Sequence, residues 1–170
     1  MSMNRLWAPW RIDYVQGTKA AGCIFCSAAK RTSGGRADGH VVFRSKHALC
    51  ILNIFPYNNG HLMIAPLRHV SCLSKLRDHE LLDLMRGVDE ARALLSRTLK
   101  PDGFNIGINM SRAAGAGIPG HLHVHIVPRW NGDTNFMPVI GNTKVISQSL
   151  AALHKLLRHA YANAHTGTGR

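Results

Sequence analysis

The stretch His121-Leu122-His123-Val124-His125-Ile126-Val127-Pro128 decides how this chain is read. Successive side chains of a strand point to opposite faces. The segment therefore sends His121, His123 and His125 to one face and Leu122, Val124 and Ile126 into a core on the other. Three imidazoles about 7 Å apart along a strand suit two tasks: ligating a metal, or cradling and attacking a phosphate. One histidine there would be an ordinary polar residue on an exposed strand face. Three in strict alternation, behind a glycine-rich loop and ahead of a proline, call for chemistry.

Working outward, a strand over Phe104 to Asn109 leads into the glycine-rich Ala113-Ala114-Gly115-Ala116-Gly117. Before it, Leu81, Met85, Val88, Leu95 and Leu99 recur at helical steps, which predicts an amphipathic helix over 79–99 that Pro101-Asp102-Gly103 stops. Three strand-like runs come earlier, at 41–45, 48–54 and 60–65, the last ending at Pro66. Asn58-Asn59-Gly60 between the second and third is a hairpin-turn signal, because Asn and Gly tolerate positive φ. Residues 30–40 read as a polar loop, about 145–160 as a final helix, and 163–170 as a flexible tail. Strands joined by turns, with helices kept apart, indicate an α+β fold: a largely antiparallel sheet with two main helices. No repeat or linker divides the chain, so residues 1–162 form one domain, with an N-terminal arm and Cys knuckle at about 4–30.

The chain has 170 residues, 45% hydrophobic and 18% charged, which is a globular composition. No apolar run approaches the roughly 20 residues that span a bilayer, and no membrane partner is expected. The start, Met1-Ser2-Met3-Asn4-Arg5, lacks the apolar region of a secretory signal, so a cytoplasmic protein is expected. Twenty-one Lys and Arg against nine Asp and Glu give +12, which fits a polyanionic ligand or general solubility equally. Aromatics at 6% offer no interleaved base-stacking surface for single-stranded nucleic acid.

Of the four cysteines, Cys50 and Cys72 stand in apolar surroundings and read as small core residues. The pair Cys23-Ile24-Phe25-Cys26 reads either as a knuckle placing two thiolates on one metal or as two reduced thiols.

The alternating histidines followed by hydrophobic residues are the motif of the histidine-triad (HIT) superfamily, and the chain resembles that family well beyond it. Asn53 near a strand end, Gly60-His61-Leu62-Met63-Ile64-Ala65-Pro66 and Arg68-His69 all resemble family positions. Leu6-Trp7-Ala8-Pro9-Trp10-Arg11, the Cys knuckle and Pro128-Arg129-Trp130-Asn131-Gly132-Asp133-Thr134-Asn135-Phe136 look like the branch of dinucleoside polyphosphate phosphorylases and fragile-histidine-triad-like hydrolases. The likeness covers roughly residues 4–150.

That resemblance implies a HIT-like fold, a homodimer, and an enzyme cleaving a dinucleoside polyphosphate or related adenosine nucleotide. It implies that His123 attacks the α-phosphorus to form a covalent nucleotidyl-imidazole, released to water or phosphate. A neutral imidazole is a good nucleophile, and its second nitrogen needs an acceptor, such as a backbone carbonyl, to fix the tautomer. His125 is expected to hydrogen-bond a phosphate oxygen, and His61 to orient the triad. Nucleotide contacts are expected from Asn109 and the backbone of Gly115, Ala116 and Gly117, although Ala116, Gly117 and Ile118 replace the Ser or Gln of many relatives. Asn53 resembles the residue that binds ribose hydroxyls, or is a turn residue. Trp130 could stack on a distal base, or cap a subunit contact. In zinc-bearing relatives the positions of His69 and His121 join the knuckle, implying a structural zinc on Cys23, Cys26, His69 and His121; no organic cofactor is expected. Two other readings are a non-catalytic adenosine-nucleotide sensor and a zinc-stabilised nucleic-acid-binding protein, the latter leaving the triad unexplained.

Overall fold

The computed structural model describes residues 22–30, 40–134, 140 and 145–166. The Leu6–Arg11 stretch, most of the 30–40 loop, Asn135-Phe136 and the last four residues lie outside them.

The elements are α1 (Ile24–Lys30), β1 (Val41–Arg44), β2 (Ala48–Leu52), β3 (Leu62–Pro66), α2 (Asp78–Leu99), β4 (Gly103–Gly107), β5 (Val124–Arg129) and α3 (Leu150–Thr166). The strands form one antiparallel sheet in the order β1-β2-β3-β5-β4. This is the expected α+β architecture, with α2 and α3 as its main helices and α1 as a short third. No helix among the described residues is long and apolar enough to cross a membrane.

Each face of the sheet has its own packing. Leu52, Leu62, Ile64, Leu122, Val124 and Ile126 join the buried side of α2 and Leu153 and Leu157 of α3 in the larger core. Phe25 and Ala28 of α1 pack on Val41, Leu49, Ile51, Met63 and Ala65 on the other face. That second face is also the one carrying the alternating histidines.

The helix α2 keeps its predicted span to within a residue and three of its five predicted inward positions: Val88 and Leu95 are buried and Leu99 packs against the larger core. Leu81 and Met85 were expected inward, yet they are 39% and 50% exposed, while Leu84, Gly87, Val88, Ala91, Leu94 and Leu95 are buried. The inward stripe is centred on the small residues Gly87 and Ala91, which let the helix lie close on the sheet. A Cβ at Gly87 would sit 3.2 Å from Ile64. At the start of the helix the Glu80 carboxylate accepts the Arg77 backbone N–H, one half of a capping box.

Other boundaries move for local reasons. The final helix starts at Leu150 rather than about 145, because Ser149 caps it with its hydroxyl accepting the Ala152 N–H. It continues past 160 to Thr166, held by Tyr161, which stacks on Phe43 and His165. Pro66 ends β3 as expected, whereas Pro128 lies inside β5, one residue before its end. Pro128 lacks an N–H on the side where β3 has already ended, and its carbonyl accepts Asn58 Nδ2 at 3.0 Å. The β4 strand covers Gly103–Gly107, starting one residue and ending two residues before the expected Phe104–Asn109. Assigned β5 begins at Val124, although residues 121–123 keep the in–out alternation.

The Asn58-Asn59-Gly60 turn forms within a wider connection, residues 53–61, rather than as a tight hairpin. Gly60 has φ +80, and a Cβ there would fall 2.6 Å from Leu99. Cys50 is in the core as expected, but Cys72 is not: it is partly exposed, with Sγ 3.3 Å from Ser74 Oγ beside a one-turn helix.

Candidate active site and metal centre

The register of the sheet builds the site row by row. Directly paired residues of antiparallel strands share a face. Met63, His125 and Gly107 therefore form one row across β3, β5 and β4. His121, His123 and His125 are all buried, with Phe25 of α1 lying 5.0 Å from the first two rings. The rings of His123 and His125 meet edge to face at 4.8 Å.

The acceptor that His123 needs is present. Its Nδ1 lies 2.7 Å from the backbone oxygen of His121. An acceptor there places the proton on Nδ1 and leaves Nε2 with a free lone pair.

A second chain of contacts fixes His125. The backbone N–H of Tyr57 donates to His61 Nδ1 at 3.0 Å, and Asn53 Nδ2 lies 3.2 Å from the same nitrogen. Two donors on Nδ1 put the His61 proton on Nε2, which faces His125 Nδ1 at 2.9 Å. His125 must then carry its proton on Nε2, and that buried nitrogen has no partner among the described residues. Burial, and then the neighbouring His125 and His123, push His61 down to about 3. Burial and His123 likewise push His125 down to about 4. Both rings are neutral at pH 7. The face thus offers one free lone pair, on His123, and one unmet N–H, on His125.

Asn53 serves this wiring: its Oδ1 accepts the Phe55 N–H at 3.0 Å, which turns Nδ2 toward His61. Asn109 reaches Tyr57 Oη at 3.5 Å. In the glycine-rich loop, Gly115 has φ +84 and its N–H donates to Arg112 O, while the Ala116 N–H donates to Ser111 O. These two amides are therefore satisfied within the loop itself. Gly117 has open space around it. Trp130 is half-buried beyond the end of β5, and its backbone N–H donates to Asp133.

Sequence reasoning missed Tyr57. Its ring lies 4.7 Å from His61 and 5.7 Å from His125. The available signal was an aromatic residue between Asn53 and His61, in the connection that the turn residues mark.

A second cluster brings together Cys23, Cys26, His69 and His121, whose ligand atoms all lie within 4.8 Å of one another. Cys23 Sγ and His69 Nδ1 are 3.2 and 3.1 Å from His121 Nδ1, and Cys26 Sγ is 3.2 Å from His69 Nδ1. A tetrahedral ion with bonds of about 2.0–2.3 Å holds its ligand atoms roughly 3.3–3.8 Å apart. His121 Nε2 lies 2.8 Å from the Pro66 carbonyl, so that nitrogen holds the proton and Nδ1 is a bare lone pair. Acceptors thus converge on one point, which a cation answers. Burial, and then Cys23, push the Cys26 thiol up, and a bound cation reverses that. Gly120 leaves room for His69, whose Nε2 is 3.4 Å from where its Cβ would be.

With this geometry in place, comparison with known proteins is informative. A family model, HIT domain, matches residues 35–132. The AP-4-A phosphorylase of Mycobacterium tuberculosis is 39% identical over 166 residues, covering 94% of this chain and 85% of that protein. The asymmetrical bis(5'-nucleosyl)-tetraphosphatase of Schizosaccharomyces pombe is 34% identical over 93 residues, 55% of this chain and 50% of that protein. Among solved structures, a Zn-bound histidine triad family protein from Mycobacterium smegmatis superposes with a TM-score of 0.62 at 27% identity, covering 85% of this chain and 96% of that one.

Proposed function

The chain belongs to the HIT domain family and is an enzyme, and from that premise we propose that it cleaves dinucleoside polyphosphates such as diadenosine tetraphosphate at an α-phosphate. The observation that carries this reading is the pairing of a free His123 lone pair with an unmet His125 N–H on one buried strand face.

In the proposed reaction, His123 Nε2 attacks the α-phosphorus and forms a P–N bond. The P–O bond to the leaving polyphosphate breaks, and its electron pair departs on the bridging oxygen. The His125 Nε2–H donates to a phosphate oxygen and offsets the charge that builds in the transition state. Water or inorganic phosphate then attacks the nucleotidyl-imidazole and restores His123. The His121 carbonyl and His61 hold the two tautomers throughout. In this reading Asn109 contacts the phosphates bordered by the Gly115–Gly117 loop, and Asn53, whose amide is engaged with His61 and Phe55, contacts the ribose through its remaining lone pair or N–H. The net charge of +12 supports capture of a polyanion.

The Cys23, Cys26, His69 and His121 cluster fits zinc, since closed Cys2His2 sets with one ordered outer hydrogen bond are structural zinc sites. It ties α1 to the strand that carries the triad. We assign the enzyme to the cytoplasm and to a homodimer, for which edge strand β4 with its exposed Ile106 offers a pairing surface.

The test is incubation with diadenosine tetraphosphate, with and without phosphate, and chromatography of the products. Phosphate-dependent ADP plus ATP identifies phosphorolysis, and AMP plus ATP identifies hydrolysis at the α-phosphate. Two ADP, or no turnover, overturns the proposed attack.

A further inference from the structure

Among the described residues, the catalytic face is covered on one side only. Over β1, β2 and β3 it is roofed by α1 through Phe25 and Ala28. Over β5 and β4 the helices of the larger core lie on the opposite face, and no described residue beyond its chain neighbours comes within 4 Å of where a side chain would begin at Gly107, which pairs with His125. On this open side lies a cavity of about 340 Å3 lined by Tyr57, Asn58, Asn105, Val127, Arg129 and Thr134. It follows the triad along the same strand face, because Val127 and Arg129 continue the alternation of His123 and His125 and pair with Asn105 and Gly103.

The chemistry of its walls is specific. Arg129 Nε and Nη2 donate to the Asp133 carboxylate at 2.6 and 2.9 Å, and Nη1 donates to Asn105 Oδ1 at 2.8 Å. Its charge is answered by Asp133, so it presents a fixed plane rather than a cation seeking phosphate. Tyr57 supplies a second flat surface, half exposed. Asn105 and Thr134 add amide and hydroxyl groups at the edge. Flat surfaces, one aromatic and one a guanidinium already paired with a carboxylate, with hydrogen-bonding rims suit a nucleoside, and the volume reaches the range of small-molecule sites, about 300 Å3 and above.

We propose that this cavity is the subsite for the distal nucleoside of the substrate, the one that departs with the leaving polyphosphate. The assignment rests on the dinucleotide reading above. It places the distal base against Tyr57 and Arg129 instead of Trp130, which does not line the cavity. The phosphate chain then crosses Gly107, which has no side chain of its own and, beyond its chain neighbours, no described residue within 4 Å of where one would begin.

The test compares diadenosine tetraphosphate with adenosine 5'-phosphoramidate, which has no distal nucleoside. Two variants are used: Asn105→Ala with Thr134→Ala, which removes hydrogen bonds, and Asn105→Trp, which fills the cavity. For both, kcat/KM on the dinucleotide should fall roughly tenfold, the effect of losing one or two hydrogen bonds. The phosphoramidate should stay within about twofold, since the transition state at His123 is untouched. Equal losses on both substrates, no loss on the dinucleotide, or a selective loss in Trp130→Ala alone would each overturn the subsite. So would a change in molecular mass of the variants by light scattering, which reassigns the cavity to a subunit contact. Failure of the wild-type protein to cleave the dinucleotide while it cleaves the phosphoramidate would overturn the dinucleotide reading itself.

Discussion

At the scale of single residues, function turns on which nitrogen of each imidazole holds its proton. His123→Gly removes the lone pair while leaving the surrounding hydrogen bonds to solvent. Turnover should fall at least about a thousandfold, some 4 kcal/mol in the barrier, with nucleotide binding retained in equilibrium titration. A rate within about tenfold of wild type would place the nucleophile elsewhere. His61 acts at one remove, as a positioning residue. With His61→Ala, His125 is free to carry its proton on Nδ1, and the donor toward phosphate is lost. We expect kcat to fall by about 10²-fold with KM little changed, because the missing hydrogen bond forms chiefly in the transition state. His61→Gln, whose amide can donate near the position of Nε2, should recover part of the rate. Equal effects of the two substitutions on kcat would point to packing rather than tautomer control.

Among the elements, α1 depends most on the rest of the molecule. Seven residues are too few for a stable isolated helix. It is held by Phe25 in the smaller core and by Cys23 and Cys26 at the metal cluster. Protein purified without chelator should contain one zinc per chain by elemental analysis. Cys23→Ser with Cys26→Ser should abolish it and lower both the melting temperature and turnover. Metal retained in that double variant would exclude the proposed ligand set. These links also show what the sequence could disclose. Strand alternation alone placed Leu122, Val124 and Ile126 in the core and the three histidines opposite, and the turn residues marked the β2–β3 connection. On α2 the inward positions Val88, Leu95 and Leu99 are legible, but the stripe is drawn too far toward Leu81 and Met85 because the buried Gly87 and Ala91 carry little hydrophobic weight. Tyr57 was illegible for another reason: its importance lies in a backbone N–H and a ring position, neither of which has a sequence pattern.

For the whole molecule, protons link the site to stability. His61 and His125 have folded values of about 3 and 4, below the ordinary imidazole value of 6.5. The unfolded chain binds more protons between these limits, so their contribution is full above pH 6.5 and is lost as pH falls through 4 to 3. Glu80 adds to this lower down. The Arg68 guanidinium and the Arg77 N–H hold it at about 2, so its contribution fades below about 4.5. Denaturant titration should show roughly 2 kcal/mol less stability at pH 5 than at pH 7, about the effect of one such histidine, because His61 and His125 touch and do not titrate independently. In His61→Gln that difference should shrink, and an unchanged difference would assign the acid sensitivity to other groups. The lopsided cover that the described residues give the catalytic face has a further consequence, which is a matter of counting. A dinucleotide with two identical ends can enter in either direction and reach the same complex, so its two orientations are indistinguishable and its association carries a statistical factor of about two. A mixed dinucleotide loses that degeneracy. Adenosine–guanosine tetraphosphate divides into two product pairs, and their ratio reads directly how differently the roofed side and the open side treat the two bases. A ratio near one would mean that the face, lopsided in shape, is even-handed in recognition.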